Sequence, residues 1–139
     1  MTRVEFFTNV PNKHAKALSL CEKALAKGRQ LTLLAADEAE MQDLQAQLWN
    51  AAPTQFLANT LAENAHADIT PIVLCLQGSL LHQDDVCINL QAQTPAFFSR
   101  FRHFVELVGL DENDKAQARE RFKFYRDRGY QIKTTPHEA

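Results

Sequence analysis

RVEFFTNVPNKHAKALSLCEKALAKGRQLTLLAADEAEMQDLQAQLW, residues 3–49, reads as strand, helix, strand, helix, and that succession decides the fold. From Arg3 to Thr8, Val4 and Phe6 alternate against Glu5, a period-two pattern that runs into a turn at Pro11. Asn12 is placed to cap a helix from Lys13 to Lys27, in which Leu18, Cys21 and Leu25 recur at helical spacing; Gly28 supplies a left-handed stop. Gln30 to Ala35 is nearly all apolar, as a strand covered on both faces must be, so it belongs in the middle of a sheet. Asp37, three residues before Glu40, forms a variant capping box and opens a helix through Met41, Leu44, Leu48 and Trp49 that ends before Pro53. The expectation is an α/β fold of three layers, α/β/α, with a mainly parallel sheet.

Further along, Phe56 to Ala58 reads as a short strand, and Ile72 to Leu76 and Val86 to Leu90 as two apolar ones. The link from Gln77 to Asp85 is too short for a helical crossover, which favours antiparallel pairing of these two strands and hence a mixed sheet, a bare crossover being the alternative. Thr94 and Pro95 stand at cap and first-turn positions for a helix from Ala96 to about Val108, with Phe97, Phe98, Phe101, Phe104, Val105 and Val108 on its apolar face. Asp111 or Asp114 opens a last helix that Gly129 ends, and Tyr130 to Thr134 is an extended tail. In all, about five strands and about four helices are expected in a single domain over residues 1–139.

The chain has 15 Lys and Arg against 17 Asp and Glu, so electrostatic steering depends on how charge is distributed. Met1 to Val10 lacks the basic start and long apolar run of a signal peptide, and no segment approaches the roughly 20 apolar residues that span a bilayer. Cys21, Cys75 and Cys87 are odd in number and far apart, which fits buried thiols in a reduced, cytoplasmic protein without membrane attachment.

Motifs for chemistry are missing. There is no G-x-x-x-x-G-K-[ST] and no G-x-G-x-x-G, and the four glycines are scattered, which disfavours nucleotide binding. His14, His66, His82, His103 and His137 show no ligand spacing, so no metal or other cofactor is expected. Asp84 and Asp85 fit a solvated turn, and Ser19, Ser79 and Ser99 lack a nucleophile context, so no catalytic residue is assigned.

The segment from Lys115 to Lys133 stands apart, with seven cations and two anions. At roughly 100° per residue, Lys115, Arg119, Phe122 and Arg126 fall along one narrow helical stripe, with Lys123 beside it. Such a run is either a solvated face biased by the macrodipole or a surface that takes a peptide carrying carboxylates and an apolar residue. Trp49, at a helix end, and Phe56, across the following proline loop, are either core plugs or a partner-facing patch.

Taken in order, the Val-Glu-Phe-Phe-Thr strand from Val4, Leu48-Trp49, Phe56, the strand Val86 to Leu90, Pro95-Ala96-Phe97-Phe98 and the closing run from Ala118 to Tyr130 resemble the chi subunit family of bacterial DNA polymerase III. The resemblance covers nearly the full length, and the closing run is its most specific part. It implies a non-catalytic accessory protein of the clamp loader in DNA replication, one that pairs with the psi subunit and grips the acidic, phenylalanine-ending tail of single-stranded-DNA-binding protein. On the family's pattern Lys115 and Arg119 meet acidic residues or the terminal carboxylate and Phe122 lines the slot; the basic surface itself offers Lys123 and Arg126 as further cations beside it. The family often has tyrosine where Phe122 stands, so a phenolic hydrogen bond is absent here. Trp49 and Phe56 match its apolar patch elsewhere on the surface, the seat of psi or of a competing helicase partner. Residues 60–70 match poorly and nothing is carried over there.

Contact with nucleic acid is then mainly indirect. The rival readings are a domain that binds single-stranded nucleic acid directly through the basic helix, and a small enzyme of unrecognised type; the acidic remainder of the chain opposes the first.

Overall fold

The computed structural model describes residues 2–49, 59–61, 72–76 and 84–137. In chain order they form β1 (Arg3–Val10), α1 (Lys13–Ala26), β2 (Leu31–Leu34), α2 (Glu38–Trp49), β3 (Asn59–Leu61), β4 (Ile72–Cys75), β5 (Val86–Asn89), a 3-10 turn (Phe98–Arg100), β6 (His103–Gly109), α3 (Glu112–Asp127) and β7 (Ile132–Pro136). The strands join in one seven-stranded sheet, ordered β3-β4-β2-β5-β6-β1-β7, and each of these pairings is parallel.

Local chemistry sets the helix ends. The Asn12 side chain accepts from Ala15 N at 3.1 Å to start α1, and Gly28, at φ +70°, turns the chain away after it. Asp37 accepts from Glu40 N at 2.8 Å while Glu40 reaches back to Ala36 N at 2.8 Å, a reciprocal box at the head of α2. Asp111 caps α3 by accepting from Asp114 N.

Helices cover both faces. On one, Ala17 and Cys21 of α1 and Met41, Leu44 and Leu48 of α2 pack on Leu31, Leu33, Leu74, Ile88, Val105 and Leu107. On the other, Ala118 and Tyr125 of α3 join Phe98 and Phe101 over Val4, Phe6, Cys87, Phe104 and Val108. The α/β class and the parallel character expected from residues 3–49 hold, and β2 is central as its apolar run requires. Burial pushes the thiols up, to about 12 for Cys21 and about 11 for Cys75, so they pack as small apolar groups.

Two expectations are corrected and a third is refined. The segment from Ala96 to Val108 is not an α-helix: only Phe98–Arg100 coil, and His103–Gly109 is β6. As the neighbour of both β5 and β1, β6 buries Phe104 and Val108 toward α3 and Val105 and Leu107 toward α1, and an apolar run on both faces mimics a helix face. The strands at Ile72 and Val86 do not pair with each other; β2 lies between them and both run parallel to it. The extended tail is a sheet strand, β7, paired along β1. The described residues therefore hold seven strands rather than about five, and three α-helices rather than about four. The short strand expected at Phe56 to Ala58 lies outside the described residues.

Where β2 and β5 enter the sheet, Arg29 Nη2 donates to Asp85 Oδ1 at 2.6 Å, and Gln30 N donates to Asp85 Oδ2 at 3.3 Å. The Arg29 hydrogen bond, working against burial, holds the Asp85 carboxyl below its ordinary value. A carboxyl depressed in the folded chain contributes stability above its unfolded value and loses it as pH falls through the folded one. The urea midpoint is therefore expected to fall as pH drops below about 4, and to fall less steeply in Asp85→Asn. Parallel pH profiles for the two chains would remove Asp85 from the acid sensitivity.

Candidate peptide-binding site

α3 lies across the sheet near its β7 end, with Ala118, Arg121 and Tyr125 turned inward. Its 3.6-residue period then carries Lys115, Arg119 and Phe122 to one flank. That flank forms one wall of a hollow of about 320 Å³. The floor is Phe6 of β1 and Val108 of β6, and the opposite lip is Thr8, Asn9 and Thr134 of β7. Phe122 is half-buried, its ring 5.5 Å from that of Phe6 in an edge contact, so the ring is packed from behind and still lines the hollow.

The charge on this wall is available. Lys115 approaches Glu112 only at 3.9 Å, and Arg119 is exposed with no acidic partner among the described residues. The hollow is thus apolar at its base, aromatic on one side and cationic at its rim. Of the five residues expected to act together, Lys115, Arg119 and Phe122 line it. Lys123 and Arg126 are exposed on α3 outside it, Arg126 lying 3.5 Å from Asp127. Trp49 ends α2; its side chain, like Phe56, lies outside the described residues.

Two cations of the basic run have other roles. Arg121 is inside the protein: its Nε donates to Glu106 Oε1 at 3.0 Å and its Nη1 to the Ala92 carbonyl at 2.8 Å. Glu106 also accepts from Asn89 Nδ2 at 3.1 Å and from the Tyr125 hydroxyl at 2.6 Å. Burial pushes the Glu106 carboxyl up while these three donors pull it down. Burial beside Glu106 also raises the Tyr125 phenol, which keeps its proton and donates. Arg128 stacks on the Phe124 ring at 3.7 Å. The buried ion pair ties α3 to β6, and together with the packing of Ala118, Phe122 and Tyr125 it holds the wall over its floor.

The lip was not read from sequence. Asn9 sits at φ +56°, where the β1–β6 register shifts between Phe7 and Val10. Asparagine enters this left-handed region more readily than most residues, so Asn9 ahead of Pro11 was the one local signal of a kink at the end of β1. Thr134 arrives only through sheet pairing with Phe6, which no local pattern announces. Among the described residues there is no group of His, Cys, Asp and Glu that could hold a metal, and no helix is long and apolar enough to cross a membrane.

The family profile for "DNA polymerase III chi subunit, HolC" matches residues 1–133, from β1 into the start of β7. DNA polymerase III subunit chi of Pseudomonas aeruginosa is 35% identical over 138 residues, covering 95% of this chain and 94% of that protein. The protein of the same name from Haemophilus influenzae is 30% identical over 119 residues, 85% of this chain and 83% of its own. That from Escherichia coli K12 is 26% identical over 131 residues, 91% and 89% respectively. With the profile matched over nearly all of its length, the chain belongs to the DNA polymerase III chi subunit family and is a replication accessory subunit.

Proposed function

We propose that this chain is a non-catalytic bridge in the cytoplasmic replication machinery. The hollow beside α3 takes the acidic, phenylalanine-ending tail of single-stranded-DNA-binding protein, and a separate surface around Trp49 and Phe56 takes the psi subunit of the clamp loader or a competing helicase. The observation that supports it is the meeting of Lys115 and Arg119 with an apolar hollow walled by Phe122. A terminal phenyl group buried there contributes about 1.5–3 kcal/mol. The two cations hold the terminal carboxylate and the acidic side chains before it, while Lys123 and Arg126 attract the tail from outside. Phe122 has no hydroxyl to donate, so affinity leans on packing.

The mechanism is tethering. No bond is made or broken; a domain joined to the loader and to the coat on single strands raises the loader's effective concentration at lagging-strand DNA. Because the ion pairs are exposed, the contact weakens with salt.

The test is a fluorescence titration with an acidic peptide ending in Ile-Pro-Phe, run beside a bare oligonucleotide. Arg119→Glu replaces attraction by repulsion and is expected to lower peptide affinity by about tenfold or more with an unchanged urea midpoint. Unchanged affinity would falsify the assignment. Strong, steeply salt-dependent binding of the oligonucleotide alone would favour direct nucleic-acid binding instead.

A further inference from the structure

We propose that a peptide seated in the hollow leaves it along β7 and adds to the sheet as one more strand, pairing with the main chain of Ile132 and Thr134. The proposal rests on the reading of the hollow given above.

β7 is an edge strand: it pairs with β1 on one side, and no described strand lies on the other. The direction of its main-chain groups follows from two hydrogen bonds. Val4 N donates to the Gln131 carbonyl at 3.1 Å, and His137 N donates to the Thr8 carbonyl at 2.8 Å. In a parallel ladder each residue turns its N–H and C=O to the same side, and successive residues alternate. Gln131, Lys133, Thr135 and His137 therefore face β1, and Ile132, Thr134 and Pro136 face outward. Pro136, which has no N–H, stands at an outward position, where the β1–β7 ladder loses nothing by its lack. It also ends the usable edge. Pro136 offers only its C=O there, so the residues that offer both N–H and C=O are Ile132 and Thr134.

The hollow meets that edge at a single residue. Thr134 is level with Phe6, whose ring is the hollow's floor, and Thr134 itself forms part of the lip. A chain end held against Phe6 and Phe122 that leaves over this lip comes alongside the outward groups of Thr134 and then Ile132. Charge favours an acidic chain there. Lys133 is the one charged residue of β7, it is exposed, and its side chain lies on the Glu5 side of the sheet, within reach of alternate side chains of an added strand. An edge of two open residues recruits little by itself, which protects it from indiscriminate pairing. Anchored in the hollow, the same two residues set the direction and register of the peptide.

Two measurements on the full chain test this, with the acidic peptide ending in Ile-Pro-Phe as probe. Amide hydrogen exchange by NMR is expected to slow at Ile132 and Thr134 on saturation, with no change at Lys133 and Thr135, which already face β1. Peptides N-methylated at one acidic position at a time are expected to lose affinity several-fold to about tenfold at every second position and little between, because only alternate residues face β7. If the unmodified peptide binds while both amides exchange as before and methylation shows no alternation, the added strand is refuted and the hollow stands. If the unmodified peptide does not bind, both readings fall. If both amides are protected in a concentration-dependent way without peptide, a second copy of the chain occupies the edge, and that overturns the proposal too.

Discussion

Arg121→Met is expected to lower the unfolding free energy by about 3–5 kcal/mol, because it leaves the Glu106 carboxylate buried without its cation. The Glu106 side chain is 0% exposed and that of Arg121 5%, so water does not replace the lost partner. The second change is as informative as the first. Adding Glu106→Gln removes the stranded charge, keeps an oxygen for Asn89 Nδ2 and turns its NH2 to the Tyr125 hydroxyl, which accepts, and most of the loss is expected to return. The pH dependence has a definite sign. In Arg121→Met the buried carboxyl binds its proton more tightly than in the unfolded chain, so this group's contribution is fullest at low pH and is lost as pH rises past the ordinary carboxylate range. Urea midpoints of the two variants across pH check both points. A loss below 1 kcal/mol for the single variant would mean that the pair does not brace α3. Peptide affinity should fall with the single variant as well, since Lys115, Arg119 and Phe122 ride on the helix it holds.

Phe98→Ala is expected to cost about 3–5 kcal/mol, the range for emptying a large aromatic site in a core. Its ring lies within 5.0–5.9 Å of those of Tyr130, Tyr125, Phe124 and Phe104, so one truncation unpacks the C-terminal end of α3, β6 and the approach to β7 together. The neighbouring residue is the control. Phe97 is half-buried, the nearest ring among the described residues being that of Phe101 at 6.5 Å, and Phe97→Ala should cost clearly less. Had this segment been the amphipathic helix its spacing suggests, both rings would sit on the apolar face. Equal losses in chemical denaturation would contradict the turn-then-strand arrangement.

That segment shows where sequence reading stops. Residues 3–49 are legible because each element carries its own boundary chemistry: Asn12, Gly28 and the Asp37–Glu40 box all act within a turn of where they stand. Phe97 to Val108 follows a mark that misleads: Thr94 and Pro95 stand where a helix would start, and since a strand apolar on both faces and a broad helical face share the same residues, only the neighbours β5 and β1 decide between them. The site divides in the same way. Lys115, Arg119 and Phe122 are related by helical spacing and were legible. Arg121 reads as one more surface cation, because its partner Glu106 stands in the misread segment. Asn9 and Thr134 come from opposite ends of the chain and meet only through the sheet.

The position of β1 has a consequence for synthesis. The first strand to leave the ribosome sits between β6 and β7, so it waits, unpaired, until the last third of the chain has emerged. Every wall of the hollow other than β1 is made in that last third. A nascent or prematurely terminated chain therefore lacks every wall but β1, so on the function proposed above it would have nothing with which to hold a peptide.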